Sequence, residues 1–288
     1  MTSVAFQGEL GAYSEEAVHR FFAGDVEPVP RRSFADVGDA VASGRVDYGL
    51  LPIENTLAGS VVGSYDVLAR GDLEVVGEVV SPIHHCVLGI PGTTLEGLAQ
   101  VLSHPVALAQ CQLFLQARPD LEAIAFYDTA GAAQHVAEIG SVTQAAIAGR
   151  GAAERYGLTV LAADVEDRHD NQTRFLAVTR PGTPPPPRAR PGGGAKTALL
   201  VETDNTPGAL VQILLPFAER QVNLSKLESR PAAHPWTYRF FMEVGGDAAL
   251  APVSEALDEV RSRATRLRVL GSFPRWVEEG TDEARRET

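Results

Sequence analysis

The chain has 288 residues, 44% of them hydrophobic and 22% charged, with a formal net charge of −12. That length suits one large or two ordinary domains, and the acidic balance excludes general nucleic-acid binding, which needs clustered Lys and Arg to neutralise phosphates. No apolar run approaches the ~20 residues of a membrane span, and the N-terminus lacks the basic and apolar regions of a signal peptide, so a cytoplasmic protein is expected.

From the N-terminus, short β-branched runs alternate with alanine-rich helical stretches. SVAFQG reads as a strand, and SEEAVHRFFAG as a helix with Ser14 as N-cap and Gly24 beyond its end. SFADVGDAVASG is a second helix, closed by Gly44, ahead of the apolar strand YGLLPIE. LEVVGEVV and HHCVLGI are strand-like, PVALAQCQLFLQA is helical, and LEAIAFY and QAAIAG are strands. Such alternation implies a largely parallel α/β sheet with helices on both faces, whose ligands gather beyond the strand carboxyl ends. Cys86 and Cys111 are too few and too separated for a disulfide framework or a zinc site, and read as two small buried thiols.

RPGTPPPPRARPGGGAK, residues 180 to 196, has stiff proline, loose glycine and no apolar core residues, so it is a linker. After it the order is strand, helix, strand, strand, helix, strand, the ferredoxin-like βαββαβ sequence, with Pro207 in the first helical turn and Asp204 or Asn205 as cap. The residues after Trp276 form a charged tail.

Four stretches can carry chemistry. In GELGAYSEEAV, glycines before a helix make either an anion-binding turn or a tight turn only. In LLPIENTLAGSV, a strand ends in Glu54, Asn55 and Thr56, and Gly59 and Ser60 open a helix. Ser60 there either receives a carboxylate or merely caps the helix, and Glu54 either serves the site or faces water. In SHPVALAQC, His104 stands before a proline-initiated helix and can donate a proton near neutral pH, though a lone histidine is more often structural. His84 and His85, adjacent on a strand, face opposite ways, which weakens a metal reading. DRHDNQTRFLAV places Asn171, Thr173 and Arg174 at the mouth of an apolar strand, where alternation sets Thr173 opposite to Arg174.

GELGAYSEEA, LLPIENTLAGSV, SHPVALAQC and NQTRF occur in the order and approximate spacing seen in prephenate dehydratases, and PGALVQILLPFAERQVNLSKLESRP resembles the regulatory ACT domain that follows those enzymes. The resemblance spans residues 4 to 275. It departs from the family at Thr56, where serine is usual, at Val106, where a glutamine follows S-H-P, at Ser225, where threonine is common, and in its long linker.

The resemblance implies a two-lobed catalytic region like type II periplasmic binding proteins over residues 1–180, with lobe one at about 1–78 and 160–180 and lobe two at about 79–159. A 181–196 linker, a 197–275 ACT domain and a 276–288 tail follow. It also implies conversion of prephenate to phenylpyruvate without metal or organic cofactor, feedback control by phenylalanine, and a homodimer or homotetramer formed through the ACT domains. Thr173 takes the central catalytic role by this resemblance. Asn55, Ser60, Asn171 and Arg174 are the candidates for substrate binding, with Glu54, Thr56, His104 and Phe175 as support or relay. The effector pocket is expected around Gly208, Ala209, Leu210, Asn223 and Leu224, with Glu228, Ser229 and Arg230 completing it from a neighbouring subunit.

Overall fold

The computed structural model describes residues 1–22, 24–184, 186, 194–232 and 237–277. Half of the 181–196 linker (185 and 187–193) and most of the charged tail (278–288) therefore lie outside the described residues. In chain order, β1 (Thr2–Gln7), α1 (Tyr13–Phe21), β2 (Val26–Arg31), α2 (Phe34–Ala42), β3 (Tyr48–Asn55), β4 (Gly59–Ser60) and α3 (Val62–Ala69) lead to β5 (Glu74–Pro82). Next come β6 (Cys86–Gly89), β7 (Gln100–Ser103), α4 (Pro105–Ala109), α5 (Gln112–Gln116), β8 (Glu122–Ala125), α6 (Thr129–Ile139), β9 (Gln144–Ala148), α7 (Arg150–Tyr156), β10 (Thr159–Ala162) and β11 (Gln172–Thr179). The last group is β12 (Ala195–Glu202), α8 (Ala209–Glu219), β13 (Leu224–Pro231), β14 (Tyr238–Gly245), α9 (Val253–Arg263) and β15 (Arg266–Pro274).

Three sheets result. The first runs β2-β1-β3-β11-β5 with β4 folded onto β3, and β1 lies parallel to both its neighbours. The second runs β10-β6-β9-β7-β8 and is mixed: β7 is parallel to β8 and β9, whereas β6 is antiparallel to β9 and β10. These two sheets make the two-lobed α/β region, with the parallel character confined to part of each. The third, β13-β14-β12-β15, with α8 and α9 is the βαββαβ domain.

Four local expectations are corrected. Helix α1 starts at Tyr13, not after Ser14: Ala12 is its N-cap, without a side-chain cap, and the Glu15 carboxylate accepts the Gly11 amide just before it. The helix expected over PVALAQCQLFLQA breaks at Cys111, since the Asp167 carboxylate takes the Gln112 and Leu113 amides at 3.1 and 2.9 Å and starts α5 afresh. Gly59 and Ser60 do not open a helix; they pair with Asn55 and Glu54 as β4. Helix α8 begins behind Gly208 at φ 84°, so neither Asp204 nor Asn205 is its cap and Pro207 precedes it.

The chain groups into two compact units, Met1–Ser64 with Val79–Phe175, and Tyr65–Glu78 with Leu176–Thr288. In the second, Leu199 and Val201 of β12 and Met242 and Val244 of β14 meet Ile213, Phe217, Val253, Leu257 and Val260 of the two helices. Strand alternation sends Phe241 to the opposite face. There its ring lies 4.9 Å from that of Tyr65. On that face β15 comes so close to β5 that a Cβ on Gly271 would sit 2.0 Å from the Val75 carbonyl oxygen. Lys196 Nζ stands 2.9 Å from Glu78 Oε1 and 3.9 Å from Glu243 Oε2, with both carboxylates almost fully buried.

Two tests follow from this packing. Lys196→Met removes this cation from beside two buried carboxylates and should cost about 3–5 kcal/mol of unfolding free energy, read from urea midpoints. Cys111 is fully buried and burial pushes its thiol up to about 12, with Glu166 and Asp167 adding to the shift. The native protein should therefore leave Cys111 unmodified by a thiol reagent until it is unfolded.

Candidate active site

The carboxyl end of β3 and the entry of β11 meet through one side chain. Asn55 Oδ1 accepts the Leu57 and Ala58 amides at 3.0 and 2.8 Å, which tightens the turn that brings Gly59 and Ser60 back onto β3. Its Nδ2 faces Asn171 Oδ1 at 2.8 Å, Thr173 Oγ1 at 2.9 Å and the Gln172 carbonyl at 3.1 Å. Thr56 closes the same seam: its hydroxyl accepts the Gln172 amide at 3.0 Å and donates to the Asp170 carbonyl at 3.2 Å.

An amide nitrogen has no lone pair to offer, so Thr173 Oγ1 is the acceptor from Asn55. Its own O–H has no acceptor among the described residues, and Thr173 lines a cleft of about 700 Å³. The hydroxyl is thus held in place by its lone pair while its proton stays available to a bound molecule.

The cleft is also lined by Asn55, Ser60, Phe175 and His104, and by Tyr13, Arg32, His85, Gln110 and Asp128. Phe175 is 2% exposed and forms part of the apolar floor. His104 is the N-cap of α4 and accepts the Val106 amide through Nδ1 at 3.2 Å. Ser103, beside it, is fully buried, and its hydroxyl donates to the Ile147 carbonyl. Arg32 is the one Arg or Lys, and Asp128 the one carboxylate, among the lining residues. Asp128 caps α6 by accepting the Gly131 amide at 2.9 Å; burial raises its carboxyl above the usual range, against the pull of the Gly131 and Ala130 amides.

Two expected binding residues are placed elsewhere. Asn171 is fully buried and absent from the lining; its Oδ1 accepts from Asn55 and its Nδ2 donates to Gln110 Oε1 at 3.1 Å. Arg174 also lies off the lining, on the other side of β11 from Thr173, with Nη2 3.7 Å from Glu54 Oε2. Strand alternation separates Thr173 from Arg174, and the opposite charge of Glu54 gives the guanidinium a partner.

The residues missed in the sequence are Gln110, His85 and Tyr13. Gln110 Oε1 lies 2.9 Å from His85 Nε2, and His85 Nδ1 lies 2.7 Å from the Tyr13 hydroxyl. Burial lowers the His85 pKa, opposed by Gln110 and Glu166, and burial also pushes the Tyr13 phenol well up. Both Tyr13 and Gln110 fall within quoted motifs, but only the folded backbone joins them. On the outer side of this wall, His84, Asp164 and Glu166 bring ligand-type atoms within 4.8 Å of one another. Burial would raise the Glu166 carboxyl, yet the hydrogen bonds from His84, the His85 amide and His169 outweigh it and hold it low. Through these hydrogen bonds Glu166 anchors the His85 backbone amide and the His84 ring.

Two α/β lobes with a cleft of neutral donors, joined to a βαββαβ domain, define a ligand-binding catalytic region with a regulatory module. Residues 4–183 match the family model for prephenate dehydratase and residues 197–262 that for the ACT domain. The chain is 41% identical over 285 residues to arogenate dehydratase/prephenate dehydratase 2, chloroplastic, of Arabidopsis thaliana, covering 94% of this chain and 72% of that one. Among solved structures, the prephenate dehydratase in complex with L-Phe from Arthrobacter aurescens aligns with a TM-score of 0.86 at 32% identity, covering 95% of this chain and 90% of that chain. GqqA, described as a novel type of quorum quenching acylase, aligns equally well, with a TM-score of 0.86 at 37% identity, covering 95% and 98%. The chain belongs to the prephenate dehydratase family and carries an ACT domain.

Asn55→Asp tests the seam. It keeps the acceptor for two backbone amides but sets a carboxylate against Asn171 Oδ1 and the Gln172 carbonyl, while the Thr173 hydroxyl can turn to donate to it. A loss of about 1–3 kcal/mol in urea unfolding is expected, the scale for buried polar groups deprived of a donor. An unchanged midpoint would show that Asn55 is not the donor.

Proposed function

We propose that the cleft converts prephenate to phenylpyruvate, releasing carbon dioxide and water, and that phenylalanine bound to the ACT domain regulates this reaction. The observation that carries the reading is the Thr173 hydroxyl, fixed by Asn55 at 2.9 Å with its proton unclaimed among the described residues. In this reaction the electron pair of the departing C–C bond enters the ring as the ring C–O bond breaks. The leaving oxygen takes up a proton to become water, and the prephenate dianion becomes the phenylpyruvate monoanion.

Thr173 supports that departure by donating to the leaving oxygen as charge builds on it. Because threonine is a very weak acid, its donation is concerted with aromatisation and does not precede it. Asn55 and Ser60 orient the substrate from β3 and β4, while Asn171, Glu54, Thr56 and Arg174 brace the strand mouth. Phe175 floors the site, and His104, which also lines the cleft, serves as proton relay. A single lining arginine attracts a dianion without surrounding the carboxylate that must leave; a tighter ion pair there would stabilise the ground state and oppose the chemistry.

The effector residues of this reading are Gly208, the N-cap of α8, with Ala209 and Leu210 in its first turn, Asn223 just before β13, Leu224 at its start, and Glu228, Ser229 and Arg230 farther along that strand. Phenylalanine held there regulates only if it prefers one state of the enzyme over another. Pairing of ACT domains in a homodimer or homotetramer would bring β13 of one subunit to the α8 terminus of the next.

Thr173→Ala should lower kcat for phenylpyruvate formation by at least ~10²-fold, the low end for positioned proton transfer, while Thr173→Ser keeps part of the rate. Activity of the alanine variant within a few-fold of wild type would end the assignment. Saturating phenylalanine should lower the rate and raise the thermal midpoint; no change in either would leave the ACT domain as an assembly module. The second reading, arogenate as substrate, is favoured by the arogenate/prephenate relative at 41% identity and by Asp128, a lining carboxylate able to meet an ammonium group. The ratio of kcat/KM for the two substrates decides between them.

A further inference from the structure

The turn after β3 imposes a hydrogen-bond direction that runs through four side chains. Two backbone amides point at Asn55 Oδ1, so the carboxamide cannot be turned over, and Nδ2 must donate to Asn171 Oδ1. Asn171 Nδ2 then donates to Gln110 Oε1 at 3.1 Å. Gln110 Oε1 is thereby an acceptor, and His85 Nε2, 2.9 Å away, must carry a proton. On the far side of the ring, Nδ1 is 2.7 Å from the Tyr13 hydroxyl, which can donate to it. The opposite tautomer would set a lone pair against Gln110 Oε1. Turning Gln110 over to relieve that would set its NH2 against the Asn171 NH2.

We propose that His85 is a positioning residue for the dehydration: as the neutral Nε2–H tautomer it donates to Gln110 Oε1 and, with Asn171, holds the Gln110 NH2 group toward the cleft. His85 is 2% exposed, and its burial disfavours the doubly protonated ring. Its backbone is tied down on both sides, with the amide donating to Glu166 Oε2 at 2.8 Å and the carbonyl accepting the Val165 amide at 3.0 Å. Gln110 lines the cleft, and its Nε2 has no acceptor among the described residues. Two hydrogens are therefore directed at whatever oxygen the substrate presents. Tyr13 completes the arrangement: its single hydroxyl proton has two acceptors in reach, Nδ1 at 2.7 Å and the His84 carbonyl at 2.8 Å, and in the proposed tautomer it goes to Nδ1.

The kinetic part rests on the prephenate dehydratase reading, whereas the tautomer does not, so the two are measured separately. In the whole chain labelled with 15N-histidine, the His85 ring, identified by its loss in His85→Gln, should show a protonated Nε2 and an unprotonated Nδ1 at neutral pH. A protonated Nδ1 overturns the proposal whatever the enzyme does. In turnover, His85→Gln can return an N–H to the Nε2 position and should keep kcat/KM within a few-fold. His85→Asn retains a polar group only toward Tyr13 and should lose roughly tenfold or more, the scale of one lost hydrogen bond. In a Gln110→Ala background the same His85→Asn change should cost little, because the effect passes through Gln110. Equal losses in both backgrounds, or in both His85 variants at unchanged thermal midpoint, overturn it. If His85→Asn fails to fold, the ring nitrogens and the Gln variant decide. If the wild type does not turn over prephenate, the function reading fails and the tautomer result still stands.

Discussion

The site depends on one carboxamide that cannot rotate. Asn55 is clamped by two backbone N–H groups, and a primary amide has a donor end and an acceptor end. Once its acceptor end is taken, everything beyond its donor end acquires a sense. Thr173 must receive at its lone pair and Asn171 at its oxygen. The same contacts bind the end of β3 to the mouth of β11, so the geometry of the site and the register of the strands that carry it are a single constraint. Buried polar chains of this kind are costly when half satisfied and rigid when complete.

Charge is used sparingly around that constraint. One arginine and one carboxylate line the cleft, and the remaining polar contacts come from hydroxyls, amides, phenols and imidazoles. Such a wall suits a substrate whose negative charge must decrease during the reaction, because a neutral donor stabilises the starting dianion less than an ammonium or guanidinium would. Arg174, next to Thr173 in sequence, turns away and faces Glu54. The strand's own alternation keeps this strong cation out of the lining.

Much of the fold was legible: alternating strands and helices foretold an α/β architecture, though as a largely parallel sheet, the family resemblance supplied the two lobes, and the βαββαβ order foretold the last domain. The separation of Thr173 from Arg174 also followed from the two-residue repeat of a strand. What escaped was set largely by side chains reaching across long sequence distances. Asp167 breaks the helix after Gln110 from 55 residues away, whereas Asn55, three residues from Ala58, turns Gly59 and Ser60 into a strand by a local contact that composition alone does not reveal. Gln110 looked like an ordinary helical glutamine because its partners, His85 and Asn171, lie 25 and 61 residues away. Asn171 read as a ligand group for the opposite reason. Its polarity was plain, but the demand on it from neighbouring amides was not.

The ACT sheet has two buried faces, and only one of them is covered by its own helices. Tyr65 and the first half of β5, drawn from well before the linker, cover part of the other, where Gly271 must stay without a side chain to let Val75 approach. The visible seam between domains in the sequence is thus not the seam in the packing. Severing the chain within residues 181–196 would free a fragment with Phe241 uncovered and Glu243 parted from the buried neighbour Glu78, so transplanting this regulatory module onto another enzyme requires moving a piece of the catalytic chain with it. Modularity here belongs to the order of the motifs, and the folded object inherits less of it than that order suggests.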